Sequence, residues 1–120
     1  MAGAQKYNGG CHCGKVRFEV TADLTRGAME CNCSLCSKTG NLGAFAPADQ
    51  FKLLSGADSL SDYQFAKKSI HHLFCRICGV RSFSRGVTPD GREMCGINVR
   101  CLDGVDISHL NINQFDGRSL

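Results

Sequence analysis

The sequence has no tryptophan, only two prolines and only two tyrosines. No apolar run approaches the roughly 18 residues that would suggest a membrane-spanning helix. Met1 to Gly10 hold a single lysine and no apolar stretch, which does not fit a secretory leader, so a cytoplasmic location is expected. Charge of neither sign dominates: 14 Lys and Arg stand against 11 Asp and Glu, and the longest basic run is Lys67-Lys68. A nucleic-acid face needs a basic stripe. Neither nucleic acid nor membrane is therefore an expected partner, and the oligomeric state is left open.

Long 3.6-residue periodicity is also missing. With 14 glycines in 120 residues, this argues against a helical bundle. The length fits one domain, residues 1–120, with an ordered core of about 6–116. Short alternating segments point to β structure. In Lys15 to Val20, the residues Val16, Phe18 and Val20 share one face, with Lys15, Arg17 and Glu19 opposite. Phe51 to Leu54, Asp62 to Ala66, Ser69 to Cys75, Val80 to Arg85 and Glu93 to Val99 also read as strands. Turn signals separate them at Gly9-Gly10, Ser55-Gly56, Cys78-Gly79 and Pro89-Asp90-Gly91, the last as a hairpin tip. Helix is expected only as single turns: near Ser34 to Thr39, near Pro47 to Gln50 with Pro47 at the first position, and over Asp106 to Leu110 with Asp106 as cap.

What is abundant is cysteine, nine in all. A reducing cytosol disfavours disulfides, and an odd count prevents complete internal pairing. Metal ligation is the remaining common use of closely spaced thiols. Cys11-His12-Cys13-Gly14 and Cys75-Arg76-Ile77-Cys78-Gly79 each place two sulfurs at a turn followed by glycine. Four cysteines form the usual closed zinc site, so Cys11, Cys13, Cys75 and Cys78 are expected to hold a structural zinc that joins distant parts of the chain. His12 is expected to point away. A redox C-x-x-C would need a βαβ setting that is absent.

Cys31-Asn32-Cys33-Ser34-Leu35-Cys36 offers three more thiols on one short loop rich in small polar residues. Three thiolates can hold zinc and leave its fourth position open, the mark of a catalytic site. Such a zinc carries a net charge near −1. It is a weak Lewis acid, suited to holding another thiol, which would lose its proton and become nucleophilic toward a carbonyl. The alternative is a second structural zinc, with Cys95, Cys101 or a histidine as fourth ligand. Otherwise Cys95 and Cys101 read as buried apolar thiols. His71 and His72 fall on opposite faces of a strand, so at most one can face a pocket.

The ordered set Gly10-Cys11-His12-Cys13-Gly14, Cys31 to Cys36 and Phe74 to Gly79 resembles the glutathione-dependent formaldehyde-activating enzyme family. Ile97 to Arg100 followed by Leu102-Asp103 is similar to that family's C-terminal part. The resemblance implies a mainly β fold, a β-tent of antiparallel sheets around a structural zinc. It implies a carbon–sulfur lyase that condenses glutathione, or a similar thiol, with formaldehyde or another small aldehyde to an S-hydroxymethyl adduct. By its motif, Cys11, Cys13, Cys75 and Cys78 hold the structural zinc, while Cys31, Cys33 and Cys36 hold a labile or catalytic one. The chain departs from the family where a histidine and an arginine often stand. Those positions hold Asn32 and Ser37, with Lys38 one further on as the nearest cation. Two other functions fit the same cysteines: a non-catalytic zinc-binding interaction module, and a thiol redox enzyme similar to B-type methionine sulfoxide reductases with Cys95 as nucleophile.

Overall fold

The computed structural model describes residues 4–64 and 70–119. Its strands are β1 (Ala4–Gly10), β2 (Arg17–Asp23), β3 (Ala28–Cys31), β4 (Leu42–Pro47), β5 (Phe51–Ser55), β6 (Leu60–Tyr63), β7 (Ile70–Cys75), β8 (Phe83–Val87), β9 (Glu93–Asn98) and β10 (Ile112–Phe115). One six-residue helix, α1 (Ser34–Thr39), lies between β3 and β4, and the other helical pieces are three-residue 3-10 turns. The fold is mainly β, as expected. None of its helices is long and apolar enough to cross a membrane.

The strands form two open sheets. One has the order β1-β2-β5 and the other β10-β3-β4-β9-β8-β7-β6. Alternation dictates how they face each other. Along β2, Phe18, Val20 and Ala22 are buried while the residues between them are half exposed. Phe18 and Phe51 from the small sheet meet Phe83 of the large sheet in a triangle, with centroid distances of 5.1, 5.9 and 4.6 Å. Arg85 lies over Phe51 and Phe83, 5.5 and 5.8 Å from the ring centres, and covers the open edge of the triangle. Cys95, Ile97 and Val99 are buried in the same core.

Several expectations need correction. Pairing is antiparallel except at one edge, where β10 runs parallel to β3 with Phe115 opposite Cys31. Gly9-Gly10 is not a turn but the buried end of β1. A Cβ at Gly9 would lie 2.6 Å from the Cys101 carbonyl oxygen and 2.9 Å from the Phe18 ring, so glycine serves close approach there. β1 begins at Ala4, ahead of the expected ordered core. Pro47 ends β4 and precedes the 3-10 turn Ala48–Gln50. The expected strand ends at Gln64 to Ala66 and at Ser69 fall on or beside residues 65–69, which lie outside the described residues. The hairpin tip at Pro89-Asp90-Gly91 and the Asp106 cap, accepting from the Ser108 amide at 3.0 Å, are as expected.

Phe83 is 2% exposed and packs against both other rings. Truncating such an aromatic leaves a large void. Phe83→Ala is expected to lose about 3–5 kcal/mol, seen as a lower urea midpoint with an unchanged m-value.

Candidate metal centres

The two turns that carry the first four cysteines are built alike. The Cys11 amide donates to the Val16 carbonyl at 3.1 Å, and the Cys75 amide donates to the Val80 carbonyl at 3.1 Å. Between these closures the chain reverses through Gly14 (φ 85) and Gly79 (φ 80), where a side chain would be strained although space is open. One turn joins β1 to β2 in the small sheet, and the other follows β7 in the large one. Cys11, Cys13, Cys75 and Cys78 converge, all four sulfurs within 4.8 Å of one another. Cys11 and Cys13 sulfurs are 3.6 Å apart, and Cys13 and Cys75 sulfurs 3.7 Å apart, across 62 positions of sequence. Disulfide sulfurs would be about 2.05 Å apart. Four sulfurs around zinc at about 2.3 Å make a tetrahedron with an edge of about 3.8 Å. The spacing fits a metal and not a bond. His12 is exposed and stands outside the group.

In the metal-free chain these sulfurs divide their protons unevenly. The Val80 amide, with help from neighbouring sulfurs, lowers Cys78 to about 6 against a burial penalty. Cys13 receives the Lys15 amide, which lowers it. Burial and the Cys11, Cys75 and Cys78 sulfurs outweigh that and raise it to about 11. Burial raises Cys11, but the Val16 amide at 3.3 Å from its sulfur and the neighbouring thiols carry the net shift downward. Like charges this close cannot all ionise without a cation between them.

The second group is Cys31, Cys33 and Cys36, again within 4.8 Å of one another. Local turn geometry assembles it. Cys33 is the N-cap of α1, its sulfur taking the place of the usual oxygen and accepting from the Cys36 amide at 3.4 Å. The Cys33 amide in turn donates to Cys31 Sγ at 3.4 Å. Gly40, at φ 71, ends the helix, its amide bonded to the Cys36 carbonyl at 3.0 Å. Burial raises Cys33, but the Cys36 amide and the two neighbouring thiols outweigh it, and the net shift is downward. Burial first, then Cys33, raises Cys36 to about 11, opposed by the guanidinium of Arg81.

Among the described residues no fourth Cys, His, Asp or Glu joins this group. Cys95 lies in the core at 0% exposure with its thiol pushed up by burial, which is the reverse of what a redox nucleophile requires. Burial likewise raises Cys101, to about 11. A cavity of about 280 Å³ opens beside Cys31 and Cys36, walled also by Glu30, Asn32, Ser37 and Gln114.

Arg81 is the residue that sequence reading missed. Lys38 is exposed on α1, and the charge that reaches Cys36 is that of Arg81. Arg81 is held by His72, with Nη1 to Nδ1 at 2.7 Å, and by Asn98 Nδ2 donating to its carbonyl at 3.1 Å. Arginine has only donors, so His72 accepts through Nδ1 and is neutral. Burial, and then Arg81, lower its pKa. His71 faces the other way and pairs with Asp62 at 2.6 Å, as the strand alternation predicts. Only the strand register brings Arg81 to Cys36, so no local motif announced it.

The family model described as glutathione-dependent formaldehyde-activating enzyme matches residues 6–115. The chain belongs to this family. A Halomonas elongata protein provisionally named a glutathione-dependent formaldehyde-activating enzyme is 39% identical over 61 residues, a stretch covering 47% of this chain and 38% of that protein. The chain thus spans well under half the length of that family member. A crystal structure of a Rhodobacter sphaeroides protein superposes with a TM-score of 0.80 at 33% identity, over 90% of this chain and 99% of that one. Within the matched stretch, seven of the chain's cysteines form two sulfur clusters, one of four and one of three.

Because Cys78 sits near 6 and Cys33 is lowered from 9.0, chelator-stripped protein is expected to keep thiolate absorbance at 240 nm well below the ordinary thiol range. The Cys78 share persists at pH 7 and disappears on acidification through about pH 6. A single titration near 9 would contradict the geometry.

Proposed function

We propose that the chain is a zinc-dependent carbon–sulfur lyase that joins glutathione, or a similar small thiol, to formaldehyde or another small aldehyde. The observation that carries this reading is the second sulfur group: three converging thiols, no fourth partner among the described residues, and a cavity at their side. Cys11, Cys13, Cys75 and Cys78 would hold one zinc as a structural clamp, and Cys31, Cys33 and Cys36 would hold another. Bound by three thiolates, the second zinc would offer a position where a substrate thiol sheds its proton and stays nucleophilic.

The chain's own residues supply the rest. Three thiolates and a fourth from substrate leave excess negative charge, and Arg81, braced by His72, offsets it at Cys36. Asn32, Ser37 and Gln114 give the cavity wall hydrogen-bonding groups for a peptide-like thiol, and Glu30 provides an anion for an ammonium group. In the reaction, the thiol sulfur bonds to the aldehyde carbon. The carbonyl π pair moves to oxygen, and the proton lost from sulfur ends on that oxygen. The product is a hydroxymethyl thioether, and reversal breaks the same carbon–sulfur bond.

Adduct formation from glutathione and formaldehyde, followed by NMR with and without zinc-loaded protein, tests this. The protein is expected to accelerate the reaction. Cys33→Ala is expected to return it to the uncatalysed rate while zinc falls from two ions per chain to one. No acceleration by protein carrying two zincs would overturn the reading. Cys75→Ser is expected to unfold the chain, since structural zinc contributes on the order of 10 kcal/mol to folding, with circular dichroism as the readout.

A further inference from the structure

The trithiol loop is closed on one side by residues just beyond the stretch that matches the family model, 6–115. After β10, which lies alongside β3, the chain crosses the loop. The Asn32 amide donates to the Phe115 carbonyl at 3.1 Å, and Asn32 Nδ2 donates to Asp116 Oδ1 at 2.9 Å. Ser119 Oγ donates to the other Asp116 oxygen at 2.6 Å, which fixes the carboxylate from its far side. Gly117 follows, half buried. A Cβ at this position would collide with Cys31 Sγ and would sit 3.4 Å from Cys33 Cβ. The Gly117 φ lies outside the left-handed range. A side chain at 117 would compete with the Cys31 sulfur for the same room, whereas backbone conformation does not call for glycine.

We propose that Asp116-Gly117 is the closing wall of the trithiol site and that Gly117 is a positioning residue for Cys31. The backbone at 117 lies against the Cys31 sulfur, limits its rotamers and keeps water from that side. Asp116 and Asn32 lock the wall onto the loop. With this side shut, a ligand approaches Cys31 and Cys36 from the cavity bounded by Glu30, Ser37 and Gln114. A residue that orients a ligand without binding the metal sets affinity at a distance, by 10- to 100-fold in typical sites. The inference rests on the reading that Cys31, Cys33 and Cys36 hold a metal.

The test uses the full chain and cobalt(II), whose thiolate charge-transfer bands report each site. Wild type is expected to bind two cobalt ions. Gly117→Ala is expected to keep the four-cysteine site with unchanged bands, while affinity at the trithiol site falls by about tenfold or more and its bands shift. In the metal-free chain, alkylation of Cys31 by iodoacetamide is expected to be faster in Gly117→Ala than in wild type, because the wall is displaced. Equal cobalt affinity, equal bands and an equal Cys31 alkylation rate in the two proteins would overturn the proposal. So would loss of both cobalt sites, which would make Gly117 a residue of the whole fold. If wild type itself takes up one cobalt only, the metal reading of the three cysteines fails before any variant is compared, and the wall proposal falls with it.

Discussion

Four sulfur atoms from two sheets must occupy one small volume, and the remaining architecture is arranged to allow it. Thiolates at 3.6 and 3.7 Å repel one another strongly unless protons, amide N–H groups or a cation intervene. The backbone answers with matched turns after β1 and β7, each closed by an amide-to-carbonyl bond across the reversal. Those turns bring the small sheet's inner face, with Phe18 and Phe51, against Phe83 of the large sheet. Sulfur convergence and the aromatic layer are therefore two ends of one constraint: the sheets meet at the cysteines and stay apart by the thickness of the rings.

The two sulfur groups use the same local chemistry with different completeness. In both, amides point at sulfur and draw individual thiols down while burial and neighbours push others up. The difference lies in where the ligands come from. The group of four draws on two distant turns and closes on itself. The group of three comes from one loop and the N-cap of a six-residue helix, so its remaining side is free to be shaped by other elements. The segment leading into β8 supplies Arg81, and β10 leads into Asp116 and Gly117. The site's character thus comes from the large sheet's strand order more than from the cysteine loop itself.

Much of this was legible in the sequence, and what was not has physical causes. Val16, Phe18 and Val20 alternate cleanly because one face of β2 is buried and the other is not. The short helix at Ser34 to Thr39 was expected, and it is capped by Cys33 and Gly40. β4 was silent because two of its buried residues, Ala44 and Ala46, carry little strand preference, leaving Leu42 as its one large buried side chain. β10 was silent because all four of its residues are exposed, so no alternation exists to read. The cysteine groupings were legible because ligand spacing is local. Arg81 and Gly117 were not, since their partners Cys36 and Cys31 lie far away in sequence and only strand pairing joins them.

The parallel pairing of β10 with β3 has a consequence for biosynthesis. A ribosome delivers the chain in order, at about 5–20 residues per second. The last sulfur of the four-cysteine group arrives at residue 78, whereas the piece that covers the three-cysteine loop arrives some forty positions later. The four clustered cysteines, then Phe83 and β9, are thus all made before the segment that lies against Cys31. In order of synthesis, the segment covering the three-cysteine loop follows the described strands of both sheets.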